Sequence, residues 1–311
     1  MRMQVFPLSS TRLDELERPI VTVGTFDGIH LAHRAILHEV VNRAQKVGGT
    51  SMVLTFEPHP QVQLNPQTAP LLLTTQEEKL GILDSLRLDV VVLLTFTREL
   101  AQMEAPEFVE QILHRKLRAW EVVIGHDHAF GRGRQGRLGT LQDLGDRLGF
   151  KVDAMEPVLH GGQPISSTRI RRRLRAGQVK EASEMLGRPY SLVGRIIPGD
   201  GRGRQLSYPT ANLEVPPRKL IPANGVYAVE SSFTAPSLRG LLNVGLRPTF
   251  GGEARMVEVH FFDFQGSLYG KEISVQLIER IRDEEKFANG TRLSEQIRKD
   301  EEVARRLLAS K

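Results

Sequence analysis

The hydrophobic pattern of this chain changes period once, at Leu186-Gly187-Arg188-Pro189, and that change limits the possible folds more than any other feature. Before it, short apolar or β-branched runs at Ile20–Val23, Ser51–Phe56, Val90–Leu94, Val122–Ile124 and Val152–Met155 alternate with helical patterns at Leu31–Val47, Gln76–Arg87, Pro106–Arg118 and Leu138–Leu148. Strands alternating with helices predict a parallel sheet covered on both faces. After it, short alternating runs broken by Gly and Pro follow closely: Ser191–Ile197, Gly225–Ser231, Leu238–Val244, Met256–Phe262 and Glu272–Glu279. Such spacing predicts an antiparallel barrel. Thr291–Ala309 then predicts an amphipathic helix that packs Leu293, Ile297, Val303 and Leu307 on the barrel. The expected class is α/β, with a Rossmann-like parallel-sheet domain over 1–186 and an antiparallel β-barrel domain with a terminal helix over 187–311.

A chain of 311 residues can bury two cores, which suits this division. It has no cysteine, which excludes a disulfide scaffold, a thiolate zinc site and a thiol nucleophile. No apolar run of signal-peptide length follows Met1, and Val90–Leu94 is too short to span a bilayer. A cytoplasmic protein without a membrane partner is expected; self-association is left open. The net charge is +5, but acidic residues are interspersed throughout. The densest basic cluster, Arg169, Arg171, Arg172, Arg173 and Arg175, lacks interleaved aromatics. It suits a small phosphorylated ligand or solvent better than nucleic acid.

Four segments carry chemistry. In the first, the apolar run ending at Val23 enters the turn Gly24-Thr25-Phe26-Asp27-Gly28, and His30 and His33 open the next helical pattern. Both imidazoles then stand at the positive end of a helix beyond the carboxyl end of a buried strand, where backbone N–H groups and the helix dipole favour phosphate oxygens. In the second, Ser166-Ser167-Thr168 precedes helical spacing that includes Arg171. These residues can cap the helix, or the same hydroxyls and N–H groups can hold terminal phosphates with an arginine as clamp. In the third, the Gly201 and Gly203 loop lets backbone N–H groups wrap a phosphate chain, though it lacks the ending of a Walker A loop. The turn Tyr208-Pro209-Thr210-Ala211-Asn212 follows it. In the fourth, alternation places Glu258 and His260 on one strand face. A carboxylate turned to a barrel interior needs a partner or a task. The nine histidines form no HExxH pair, so a metal is expected to arrive with a nucleotide.

Gly24-x-Phe26-Asp27-Gly28-x-His30-x-x-His33 resembles the first motif of the HxGH nucleotidyltransferases, and Ser166-Ser167-Thr168-x-Ile170-Arg171 resembles their second. With Pro209-Thr210-Ala211-Asn212 and the Glu258 strand in family order, the chain resembles the bacterial bifunctional riboflavin kinase/FAD synthetases over nearly its whole length. The resemblance implies phosphorylation of riboflavin by ATP to FMN in the barrel. It further implies adenylylation of FMN by ATP to FAD in the α/β domain, with Mg²⁺ accompanying ATP and FMN and FAD as products. Carried over by motif, His30 and His33 contact the ATP phosphates, with Gly24, Phe26, Asp27, Ser166, Ser167, Thr168 and Arg171 as further ATP contacts. Thr210 and Asn212 hold magnesium, Gly201 and Gly203 bind phosphate, and Glu258 accepts the proton of the riboflavin 5′-hydroxyl. His59 of Glu57-Pro58-His59-Pro60, Asp127 of the Gly125–Arg134 loop and Arg247 of Asn243–Phe250 fall in segments similar to family segments near the flavin. Two departures stand out: Ala32 occupies a family glycine position, and His128 replaces an aromatic residue. Two alternatives remain open: a riboflavin kinase whose adenylyltransferase domain is impaired, and a flavin- or nucleotide-binding regulator of nucleic acid.

Overall fold

The computed structural model describes residues 3–198, 208–233, 237–249 and 252–309, which divide into two compact units, Met1–Ser166 and Ser167–Lys311. The first is built on an all-parallel sheet of β1 (Gln4–Pro7), β2 (Ile20–Val23), β3 (Ser51–Glu57), β4 (Val90–Thr95), β5 (Glu121–Gly125) and β6 (Lys151–Met155). Their spatial order is β1-β4-β3-β2-β5-β6. Met52 and Leu54, Val90 and Val92, and Val122 and Ile124 pack on one side with Phe108, Ile112 and Leu141. Val53, Val91 and Val123 pack on the other with Leu37, Val40 and Leu83. Both faces are covered, which is why these strands read as unbroken apolar runs. β1 was not expected: of its four residues only Phe6 is buried, so this edge strand leaves no alternation to read.

The helices of this unit are α1 (Leu31–Val47), α2 (Pro60–Leu64), α3 (Gln76–Ser85), α4 (Arg98–Gln102), α5 (Ala105–Phe108) and α6 (Leu138–Leu148). α1 ends at Gly48 with φ +60°, a left-handed cap that suits glycine. α3 starts on a reciprocal pair of bonds between Thr75 and Glu78. The single helix expected over Pro106–Arg118 is instead α5 followed by a wider winding over Val109–Lys116, and Leu117 N–H donates to the Ile112 carbonyl at 2.9 Å. A short hairpin, β7 (Leu159–His160) with β8 (Gln163–Pro164), precedes Ser166.

The second unit opens with α7 (Ser167–Arg175) and α8 (Val179–Leu186). Six strands follow: β9 (Tyr190–Ile197), β10 (Ala211–Glu214), β11 (Gly225–Ser231), β12 (Leu238–Thr249), β13 (Gly252–Phe261) and β14 (Glu272–Arg282). They close into an antiparallel barrel in the order β10-β13-β12-β11-β14-β9. Leu192, Leu242, Val244, Val257, Val259 and Val275 are among the buried residues that share the inward register. The outer face of β11 and β12, with Val226, Ala228 and Leu241, lies under α9 (Gly290–Ala309). The stripe on α9 is shifted from the expected one. Ile297 and Leu307 do pack on the barrel, but the buried centre is Ala304 and Leu308, while Leu293 and Val303 are half-buried. The shift follows from Asp300, which occupies the inner face at 3% exposure and receives the Arg282 guanidinium at 2.8–3.0 Å. The compact units part ahead of the change in pattern because α7 and α8 pack with the second: Ala223 N–H donates to Leu174 O at 3.0 Å, and Lys180 faces Glu279 at 3.8 Å.

Candidate functional site

In the first unit the chain steps from β2 to β3 and β4 on one side, then returns to the other side of β2 for β5. Connections therefore leave β2 and β5 in opposite directions, and a crevice at such a divergence, beyond the carboxyl ends of the strands, is where doubly wound folds take ligands. The turn after β2 is Gly24–Ile29. Phe26, Gly28 and Ile29 all have positive φ, at +49°, +85° and +37°, a costly conformation for the two that are not glycine. A side chain on Gly24 would crowd the Phe26 ring, with its Cβ 3.1 Å from Cε2. The turn delivers His30, 4% exposed, as the N-cap of α1, and its Nδ1 accepts the His33 N–H at 3.4 Å. The two imidazoles stack with centroids 3.7 Å apart and planes 15° apart, and Phe26 meets His33 edge-on at 5.1 Å. Burial, then the neighbouring His30, holds the His33 pKa well below its ordinary value, so this imidazole is neutral at pH 7. Its Nδ1 has no hydrogen-bond partner among the described residues. Ala32 lies in the first turn of the same helix and is half-buried.

Asp27 ties the turn to Leu73 and Thr74. Its buried carboxylate accepts the Leu73 N–H at 2.9 and 3.1 Å, the Thr74 N–H at 3.0 Å and the Thr74 hydroxyl at 3.3 Å. The Gly28 N–H donates to that same hydroxyl at 3.1 Å. Below the turn, the Thr55 hydroxyl donates to Thr25 O and accepts the Lys79 ammonium, both at 3.3 Å.

The other expected contacts of this unit lie in loops beyond β3 and β5. His59 caps α2, its Nδ1 accepting the Gln61 N–H at 3.2 Å. Asp127 is exposed, and the ideal Cβ of Gly125 would stand 3.5 Å from Ile36 of α1, so the loop after β5 lies against the helix that starts at His30. His128 stacks on Phe130. A cavity of about 680 Å³ opens beyond the carboxyl end of β4, with Leu94, Thr95, Leu100, Met103, Ile112 and Lys116 among its lining residues. None of the residues singled out in the sequence lines it.

Of the Ser166–Arg171 motif, Ser166 closes the first unit and Ser167 opens α7 in the second. Thr168 is exposed, Ser166 and Ser167 are half-buried, and Arg171 is buried beside Ile170 on the inner side of α7.

On the barrel, Glu258 and His260 share a face as expected, but that face is the outer one, which corrects the expected inward carboxylate. Val257 and Val259 fill the interior instead. Period-two alternation defines two faces without saying which closes inward. Glu258 stands in register with Asn212 of β10 on one side and Asn243 of β12 on the other, so three polar side chains form a row across three strands. Asn212 is 8% exposed, and Thr210 lies just before β10. His260 Nδ1 stands 2.8 Å from Pro209 O, and since a carbonyl only accepts, the imidazole donates. With Tyr208 edge-on to its ring at 5.4 Å, His260 fastens the turn before Thr210 to the strand that carries Glu258. Arg247 lies on β12 in register with Ala254, and Gly201 and Gly203 lie outside the described residues. Asn243 and His260 went unassigned in the sequence because strand pairing alone brings them here.

Comparison with known proteins decides what these two units are. A family model described as FAD synthetase matches residues 13–169, and one described as riboflavin kinase matches residues 186–308. The bifunctional riboflavin kinase/FMN adenylyltransferase of Escherichia coli strain K12 is 37% identical over 287 residues, covering 92% of this chain and 91% of that protein. Its counterpart from Buchnera aphidicola subsp. Schizaphis graminum is 36% identical over 291 residues, covering 92% and 93%.

The chain belongs to the bifunctional riboflavin kinase/FMN adenylyltransferase family. It is a transferase with both activities, making FMN from riboflavin and FAD from FMN with ATP. A crystal structure described as a macrolide-efflux protein from Streptococcus pneumoniae is 33% identical, with a TM-score of 0.87 over 97% of this chain and 98% of that one. Among the described residues no helix is long and apolar enough to cross a membrane. The FAD synthetase match contains the β2 turn and the stacked histidines, and the riboflavin kinase match contains the Asn212–Glu258–Asn243 row.

Proposed function

We propose that the barrel phosphorylates riboflavin with Glu258 as general base, and that FMN is adenylylated where β2 and β5 diverge. The functional division is taken as 1–186 for FMN adenylylation and 187–311 for riboflavin phosphorylation, in the cytoplasm. In the kinase reaction the Glu258 carboxylate accepts the proton of the 5′-hydroxyl as that oxygen attacks the γ-phosphorus of ATP and ADP leaves. Such a base contributes about 10²–10⁴-fold in rate. Thr210 and Asn212 offer hard oxygen donors next to Glu258, which suits Mg²⁺ held partly by nucleotide phosphates. Among the described residues no group of three or more His, Asp or Glu could hold a metal unaided. Magnesium, when bound, neutralises charge on the transferring phosphoryl group. Gly201 and Gly203 bind the phosphate chain, and Arg247 contacts the flavin.

In the adenylyl transfer a phosphate oxygen of FMN attacks the α-phosphorus and pyrophosphate leaves. Positioning and charge stabilisation supply the rate. His30, His33, Gly24 and Phe26 form the ATP-facing turn, and Asp27 holds that turn in shape. Ser166, Ser167, Thr168 and Arg171 take the terminal phosphates, and His59 and Asp127 contact FMN. The observation that carries this reading is the register of Glu258 with Asn212, which joins two motifs far apart in sequence on adjacent strands. It is tested with Glu258→Gln. FMN formation from riboflavin is expected to fall at least a hundredfold while FAD formation from supplied FMN stays unchanged. Kinase turnover at the unmodified rate would remove Glu258 as the base.

A further inference from the structure

Lys79 is a lysine in the polar run Gln76-Glu77-Glu78-Lys79, yet it is 7% exposed. Long cationic side chains bury their stems but rarely their charge without partners. Its ammonium donates to Thr55, which is itself fully buried and donates to the carbonyl of Thr25 at the head of the β2 turn. Two carboxylates act on it from different elements: Glu57 at the end of β3, and Asp27 within the turn. Burial lowers the Lys79 pKa, and the charges of Glu57 and Asp27 oppose that shift. Burial raises the Glu57 pKa, which Lys79 pulls down and Glu77 pushes up. Lys79 therefore lies where four segments meet: the turn after β2, the end of β3, the Leu73–Thr75 strap and α3.

We propose that Lys79 is a positioning residue for adenylyl transfer, whose charge balances Asp27 and Glu57 and so holds the strained Gly24–Ile29 turn in its phosphate-receiving shape. The geometry supplies the reason. The turn keeps two non-glycine residues at positive φ, and its fixed points include the Asp27 bonds to Leu73 and Thr74, the Gly28 bond to Thr74 and the Thr25 bond to Thr55. Removal of the ammonium takes away the positive charge that acts on both the buried Asp27 and the half-buried Glu57. The turn then relaxes, and its N–H groups no longer converge on the nucleotide phosphates. The inference rests on the proposed placement of ATP at this turn.

The test follows FAD formation from supplied FMN at varied ATP, for Lys79→Met, Lys79→Arg and Lys79→Met with Glu57→Gln. Lys79→Met is expected to raise the KM for ATP at least tenfold, whereas Lys79→Arg stays within about threefold. Restoring charge balance in the double variant is expected to return the KM to within about threefold of the unmodified chain. A purely structural lysine would instead lower the active fraction, reducing kcat with KM unchanged, and that result overturns the proposal. Should Lys79→Met fail to fold, the double variant decides: folding with near-normal KM supports charge balance, and equal impairment overturns it. His30→Ala measured alongside separates the two layers. Unchanged FAD formation in that variant removes ATP from this turn, whatever Lys79 does.

Discussion

His128 stacks on Phe130 with ring centroids 6.0 Å apart, and burial, reinforced by Arg134 and opposed by Asp127, holds its pKa down at about 4. The unfolded imidazole titrates near 6.5, so as pH falls from there toward 4 the unfolded chain takes up a proton that the folded unit refuses. Stability is present above that window and is lost within it, by about 2 kcal/mol at pH 4.5. His33, depressed by burial and by His30, acts in the same direction. His128→Phe is therefore expected to flatten the fall in first-unit stability between pH 7 and 4.5, read as the thermal midpoint at each pH. An identical fall in both proteins would show that His128 is not held neutral. Single residues were legible where their task is local. His30 and His33 are fixed by a turn and one helical repeat, so the sequence places them. Lys79 and Asp27 act through partners more than 20 positions away, and nothing in a polar helix start marks a lysine that turns inward.

Regular elements were the most legible layer, because burial on both faces of a parallel sheet and alternation in a barrel leave direct hydrophobic signatures. α1 and α6 match their expected spans, capped by glycines at positive φ. The differences have physical causes. β1 and β10 each bury a single apolar residue, Phe6 and Leu213, and so show no apolar run, and the widened turn after α5 shifts backbone bonding without changing which residues are apolar. On α9 the inner stripe includes Asp300, a residue that hydropathy assigns to solvent. Asp300→Ala leaves the Arg282 guanidinium, itself largely buried, without its partner and is expected to cost the barrel unit about 3 kcal/mol. Chemical denaturation followed by riboflavin kinase activity checks this, and a midpoint unchanged from the parent would mean the pair contributes nothing to seating the helix.

At the scale of the whole molecule, the change of period at Gly187 announced two architectures, and the closed barrel and the six-stranded sheet bear that out. The placement of α7 and α8 with the barrel was not legible, since amphipathic helices carry no record of which sheet they cover. Glu258 shows the same limit: its strand face could be read, but which face closes the barrel depends on all six strands. The central claim is that the two units carry two separable steps of one conversion. A time course with riboflavin, ATP and Mg²⁺, resolving riboflavin, FMN and FAD chromatographically for the unmodified chain and His30→Ala, tests it most directly. FMN is expected to rise and give way to FAD in the unmodified chain, and to accumulate without FAD in the variant. FAD formation by His30→Ala at the unmodified rate, or loss of FMN formation together with FAD, would contradict the account.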